Sequence, residues 1–216
     1  MPKSPARLQQ ATRIQAQSRN IILNAALEVF STFGYRGATV DQIAKKAGFS
    51  KPNVLYYFRR KEDIYVALLE ATLEEWLKPL RILDVKGEPV QELTRYISEK
   101  LDLSFANPQA SRLFANEILH GAPHVQKFLR GPLRLLVEEK CKVIAAWIAQ
   151  GKIRPIDPRH FIFAVWAVTQ HYADFAAQVE SISGTAPKRT QTKKAVLDIL
   201  LHGLVKAPRG KAGRSP

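Results

Sequence analysis

The sequence predicts an all-α protein of about nine helices: an N-terminal three-helix helix-turn-helix unit followed by a larger C-terminal helical domain. Three observations carry this expectation. Apolar residues recur at helical spacing along most of the chain, and strand-like alternation bounded by turns is hard to find. Two short helical segments are separated only by Gly48-Phe49-Ser50. The net charge of +14 on 216 residues is unevenly placed. Residues 1–62 carry +8, residues 63–187 about −1, and residues 188–216 carry +7.

The elements follow in order. Residues 1–17 are polar and basic and are expected to form a disordered arm. A first helix over about 18–33 carries Ile22, Ala25, Ala26, Val29, Phe30 and Phe33 at helical spacing, and Gly34 and Gly37 end it. Thr39-Val40-Asp41-Gln42 reads as a capping box that starts the second helix. Gly48 stops that helix in a left-handed conformation. Ser50 caps the third helix, where Pro52 is tolerated in the first turn. The helix-turn-helix unit is expected to span residues 18–62.

The remaining domain, residues 63–206, is expected to hold helices over about 61–83, 89–106, 107–120, 124–150, 158–183 and 188–205. Pro79 predicts a kink or early end in the first of these. Residues 207–216 are Gly, Pro and basic residues and are expected to be disordered.

Composition excludes several classes. A hydrophobic fraction of 46% is enough for a buried core. No apolar run is long enough to span a bilayer, and the N-terminus lacks the pattern of a secretory signal. The single cysteine, Cys141, rules out an intrachain disulfide or a multi-cysteine zinc site. His120 and His124 have metal-like spacing, but Gly121 and Pro123 break the helix that would align them. No glycine-rich phosphate loop follows a strand. The expectation is therefore a cytoplasmic protein that is not an enzyme, with no metal and no cofactor. The basic ends suit the neutralisation of phosphates, although a solvated face gives the same charge.

The segment from Thr39 to Phe58 makes three physical demands. The turn needs a small residue, which Gly48 supplies. The inner faces must be apolar, as Ile43, Ala47, Leu55 and Phe58 are. The outer face of the second helix must stay polar, as Ser50, Lys51, Asn53, Tyr56 and Tyr57 are. A helical hairpin in any bundle satisfies the first two demands, and the basic charge favours DNA.

At this point the chain resembles the TetR family of one-component bacterial repressors. The matching residues are Ile22-Leu23, Ala25-Ala26, Phe30, Phe33-Gly34-Tyr35, Gly37, Thr39-Val40, Ile43-Ala44, Ala47-Gly48, Ser50, Leu55-Tyr56-Tyr57-Phe58 and Lys61-Glu62. The family usually carries His where this chain has Tyr57. The resemblance implies that the helix from Ser50 is the recognition helix, with Lys51 and Asn53 reading bases. It implies that Thr39, Tyr56, Tyr57 and Lys61 hold phosphates. Lys3, Arg7, Arg13 and Arg19 of the arm add DNA contacts or are merely solvated.

On the eighth predicted helix, Phe161, Val165, Val168, Tyr172, Phe175 and Val179 form one stripe. Ile162, Trp166, Thr169, Gln170 and Ala173 form another. Two apolar faces on one helix suggest that one packs inward and one packs on a second copy, as the family's homodimers do. Such a dimer would sit on a pseudo-palindromic operator of double-stranded DNA. Trp166 and Gln170 share a face, with His171 and Asp174 beside them. Trp76 precedes Pro79 on the fourth helix. Indole rings can stack a planar ligand, and a Gln amide matches a lactam edge. Equally, such tryptophans are ordinary core residues.

A narrower resemblance favours the ligand reading. Trp76-Leu77-Lys78-Pro79-Leu80, Pro108-Gln109-Ala110-Ser111-Arg112-Leu113-Phe114, Gly121-Ala122-Pro123, Pro155-Ile156-Asp157-Pro158 and the run from Trp166 to Val179 are similar to the pyrimidine-utilisation regulators within the TetR family. That similarity implies a repressor released by uracil or thymine, controlling pyrimidine catabolism or nitrogen metabolism. It makes Trp76, Trp166 and Gln170 the leading ligand contacts, with His171, Phe114 and Glu117 second. Alternatives are a purine-type base or other small effector on the same fold, or a ligand-independent DNA-binding protein.

Overall fold

The computed structural model describes the backbone of residues 5–202 and the side chains of residues 13–202. Lys3, the side chain of Arg7, and the expected tail at 207–216 lie outside the described residues. Among the described residues the chain is all helical, without strands. The helices are α1 (Pro5–Gly37), α2 (Val40–Ala47), α3 (Lys51–Tyr57), α4 (Lys61–Arg81), α5 (Pro89–Ala106) and α6 (Pro108–Leu119). They continue as α7 (Gln126–Phe128), a π-helical turn (Leu129–Leu133), α8 (Arg134–Ala149), α9 (Pro158–Asp174), α10 (Ala176–Ser183) and α11 (Arg189–His202).

Local signals place most of these boundaries. The capping box at α2 is present: the Thr39 side chain accepts from the Gln42 backbone N, and the Gln42 side chain accepts from the Thr39 N at 2.8 Å. Gly48 ends α2 at φ 71°, a left-handed conformation that costs an L-residue with a Cβ about 1–2 kcal/mol. The Ser50 side chain accepts from the Asn53 N to start α3. Asp157 caps α9 through the backbone N–H groups of Arg159 and His160, and Pro158 opens the helix.

Three features differ from the sequence expectation. α1 starts at Pro5 rather than near residue 18. Its first turns are built from Ala, Leu, Gln and Arg, which favour helix without needing a buried face. At Gly34, φ 66° and ψ 172° break α1 where the break was expected, before a last turn that runs to Gly37. The 158–183 helix is interrupted at Phe175, whose φ −112° and ψ 31° separate α9 from α10. The expected 124–150 helix contains the π turn, which holds Gly131 and Pro132. Proline lacks the amide hydrogen for an i→i−4 bond, so a widened turn accommodates it. Pro79 is contained within α4, which ends two residues later at Arg81.

The chain divides into two compact units. The first takes residues up to Leu73 together with Arg112–Val125, and the second takes Glu74–Ser111 together with Gln126 onward. The divide between these units falls within α4 and α6. In the first unit, Ile22, Ala26, Phe30, Ile43, Val54, Ile64 and Leu69 are buried. In the second, Leu80, Leu93, Tyr96, Ile97, Ile144, Trp147, Ile162, Val165 and Val196 form the core. There α5 packs on α9 and on α11. Asp102 of α5 receives Arg189 and Lys193 of α11, each at 2.7 Å.

Removing the α2 cap tests the local account of the first unit. Thr39→Ala loses the side-chain acceptor for the Gln42 N–H and should lower unfolding free energy by about 1 kcal/mol. Urea denaturation measures this, and an unchanged midpoint would refute the role given to the cap.

Candidate nucleic-acid interface and effector site

The helix-turn-helix presents the side chains its chemistry requires. Ser50, Lys51, Asn53 and Tyr56 are exposed on or at the start of α3, and Tyr56 is 72% exposed. Thr39 is exposed at the start of α2. On the opposite side Val54 and Phe58 are buried, which holds α3 against the unit. Lys51 reaches back to Asp41 of α2 at 2.8 Å. This exposed pair contributes little to stability and exchanges readily for a base or phosphate. Tyr57 is half-buried, and its carbonyl accepts from Arg19 at 3.1 Å. The Arg19 guanidinium also lies 4.3 Å from the Phe58 ring centroid, so this residue of the basic stretch joins α1 to α3.

Lys61 is differently placed from the other expected phosphate ligands. Its Nζ donates to the Tyr35 carbonyl at 2.7 Å and to the Ala38 carbonyl at 2.8 Å, and sits over the Tyr35 ring. It therefore holds one carbonyl of the last turn of α1 and one just beyond it. A phosphate contact would require it to leave them. Tyr35 and Tyr65 in turn pack against His124, with ring centroids 4.7 and 5.0 Å away. Glu117 is buried, accepts from the His124 backbone N at 2.7 Å, and lies 3.1 Å from His124 Nδ1. Burial, with the Glu117 carboxylate beside it, pushes the Tyr65 hydroxyl well above its ordinary range. Glu117 thus serves the turn after α6 inside the first unit, and Phe114 is buried in that same unit.

The second unit gathers the other expected ligand contacts around α5. Trp166 Nε1 donates to the Tyr96 hydroxyl at 2.8 Å. One turn further along α5, Lys100 Nζ lies 4.5 Å from the centroid of the Trp76 ring. Trp76 is buried, whereas Trp166 is half-buried. On α9, Trp166, Gln170 and Asp174 recur every four residues and so share one face. The Asp174 carboxylate acts electrostatically on Lys100 and accepts a hydrogen bond from Ser111. Ser104, at the next turn of α5, is fully buried. His171 is exposed and stacks on Phe175 at 5.1 Å, away from this face. An open groove of roughly 370 Å³ also reaches Trp166, between the π turn, α8 and α9. Arg130, Arg134, Val137, Arg159 and Phe163 line it, and it contains none of the other expected contacts.

Sequence reasoning missed Lys100, Tyr96 and Ser111. The legible signal was Lys100 itself, a lysine at helical spacing among Leu93, Tyr96, Ile97 and Leu101. Among the described residues two lysines are buried on core faces, and they are treated oppositely. Lys140 donates to the Leu83 carbonyl at 3.3 Å and pairs with Glu139 at 2.8 Å. Lys100 Nζ has no hydrogen-bond partner. Burial lowers its pKa from 10.5 to about 7, against the opposing pull of Asp174. Among the described residues no cluster of three or more His, Cys, Asp or Glu could hold a metal. Likewise, no helix is long and apolar enough to cross a membrane.

Residues 22–68 match the family described as bacterial regulatory proteins, tetR family. Residues 69–207 match the C-terminal region of YcdC-like proteins. The chain is 45% identical over 197 residues to the HTH-type transcriptional regulator RutR of Escherichia coli K12, covering 89% of this chain and 93% of that protein. It is 32% identical to the HTH-type transcriptional repressor NicS of Pseudomonas putida, over 70% of this chain and 69% of that one. The same fold is found in a TetR/AcrR-family regulator from Thermobifida fusca, with a TM-score of 0.64 at 23% identity, covering 86% of this chain and 97% of that one. It recurs in PfmR from Thermus thermophilus, with a TM-score of 0.65 at 20% identity, covering 84% and 97%.

The buried ammonium predicts a pH dependence of stability. Its folded-state pKa of about 7 lies below its ordinary value of 10.5, so between these values the unfolded chain binds more protons. Stability should therefore rise as pH increases through that window, and the burial cost should be fully present below it. Lys100→Met should flatten the slope and be the more stable protein near pH 6. Denaturant titrations of both proteins from pH 6 to 10 measure this, and parallel curves would contradict it.

Proposed function

Because the chain belongs to the TetR family of bacterial regulatory proteins and is a DNA-binding repressor, we propose that a pyrimidine base, uracil or thymine, releases it from its operator. The reading divides the chain into a helix-turn-helix domain over residues 18–62 and a ligand-binding and dimerisation domain over 63–206. The protein works in the cytoplasm as a homodimer and catalyses no reaction. Phe163, Phe175, Ile182 and Ile199, on α9, at the α9–α10 break, on α10 and on α11, are 45–78% exposed. Their burial against a second copy is the expected source of dimer stability.

In this reading Lys51 and Asn53 read base edges in the major groove, and Ser50, Thr39, Tyr56 and Tyr57 fix the register on phosphates. Lys61 organises the turn that precedes α2 and contacts phosphate only through or after release of its carbonyls. The observation that carries the effector reading is the pair of tryptophans brought to successive turns of α5, Trp166 through Tyr96 and Trp76 through Lys100. Flat aromatic surfaces with a Gln amide between Trp166 and Asp174 suit a flat heterocycle with lactam groups. The likeness to the pyrimidine-utilisation regulators supports uracil or thymine over other flat ligands. Release follows if the ligand binds better to the conformation that cannot span two operator half-sites. α4 carries both Lys61 and Trp76 and is the proposed lever.

Two measurements test this reading. Saturable quenching of tryptophan emission by uracil or thymine, with cytosine inert, is expected, while fully buried Trp147 gives a constant background. Response to xanthine alone would move the effector to purines, and no response to any base would remove the pyrimidine claim while leaving the DNA-binding assignment in place. On DNA, Asn53→Ala should narrow the gap between operator and unrelated sequence by about 1–3 kcal/mol at fixed salt. Unchanged affinity and preference in a gel-shift titration would displace α3 as the reading helix.

A further inference from the structure

The helix α3 is too short to hold itself. It has seven residues, and a helix of that length is marginal in water without tertiary anchors. Its start is anchored by the Ser50 side chain, which accepts from the Asn53 N. Its inner face offers one buried residue, Val54, and the chain leaves the helix at buried Phe58 with an extended backbone, φ −141° and ψ 112°. The last carbonyls of a helix lack an intrahelical donor, and a cation beside them complements the helix dipole. The last turn of α3 carries no basic residue of its own.

Arg19 supplies both the donor and the cation from α1. Its Nη1 donates to the carbonyl of Tyr57, the last residue of α3, at 3.1 Å. Its guanidinium lies 4.3 Å from the centroid of the Phe58 ring. A planar guanidinium can stack and donate at once, which fixes direction as well as distance. Tyr57 follows Asn53 by one turn, and in an α-helix its N–H bonds the carbonyl at that position. A peptide held at Tyr57 therefore holds the base-reading turn. We propose that Arg19 is a positioning residue for base reading: it fixes the end of α3 against α1, and so the orientation of Lys51 and Asn53, and it is not a phosphate ligand. This inference rests on the assignment of α3 as the reading helix. Recognition side chains must be held within about 0.5 Å of their working geometry, so two exposed contacts that add little to stability act chiefly on sequence preference.

The test uses the full chain, a duplex that wild type enriches from a random-sequence library, and an unrelated duplex of the same length, in gel-shift titrations over a range of salt. Arg19→Met should lower the preference for the selected duplex at least about threefold, by weakening that complex while the unrelated duplex and the salt slope stay nearly unchanged. Arg19→Gln is equally uncharged but keeps an amide N–H for the Tyr57 carbonyl. It should recover part of the preference, and it keeps the comparison open if the Met variant fails to fold. A phosphate ligand would instead weaken both duplexes alike and reduce the slope by about one in both variants, which would overturn the proposal. A lower unfolding midpoint with the preference intact would also overturn it, since Arg19 would then serve stability alone. Asn53→Ala is the control for the underlying reading. If it leaves the preference unchanged, α3 is not the reading helix and this inference falls with that assignment. If it narrows the preference and Arg19→Met does not, only the role of Arg19 falls.

Discussion

The packing of α5 against α9 is the constraint on which the second unit depends. Leu93, Ile97 and Leu101 on one helix, and Ile162 and Val165 on the other, must leave water together. Each fully buried aliphatic side chain contributes about 1.5–3 kcal/mol, so this contact outweighs the polar groups carried with it. Tyr96, Lys100 and Ser104 lie on the same turns of α5 as the apolar anchors. Trp166, Gln170 and Asp174 are carried in the same way on α9. The interior polar cluster is thus a consequence of the core: once the aliphatic residues pack, these groups have nowhere else to go.

What becomes of each buried polar group then depends on its partner. The Trp166 indole finds the Tyr96 hydroxyl, and Trp147 finds the Val85 carbonyl. Ser111 and Asp174 find one another. Lys100 has only an aromatic face. Among the described residues of the first unit, Lys61 is satisfied by two carbonyls, and Glu117 by the His124 N–H and ring. A repressor's DNA-reading unit gains from such rigidity, since side chains that read bases must be held in place before they meet them.

The same contrast separates the candidate residues that stay on an exposed face from those drawn into internal contacts. Ser50, Lys51, Asn53 and Tyr56 project from a short helix whose inner face, Val54 and Phe58, is fixed by local periodicity. Lys61 and Glu117 are each drawn to partners far from their own turn of helix, Lys61 more than twenty residues away in the chain. His171 lies on the right helix but turns its ring to exposed Phe175. The break at Phe175 also shortens the helix on which the two apolar stripes were drawn, leaving Val179 on α10.

The sequence by itself determined the all-helical class, the capping box at Thr39, the left-handed stop at Gly48, the Asp157 cap and the exposed face of α3. Each of these is an interaction within about four residues, where helical geometry relates spacing directly to contact. Tertiary structure decided the partners of Lys61, Glu117, Lys100 and Trp166, several of them separated by tens of residues; Trp166 and Tyr96 are 70 apart. It also decided which of two buried lysines would find acceptors. No periodicity encodes that choice, because it depends on which carbonyl or ring the packing of other helices brings within reach.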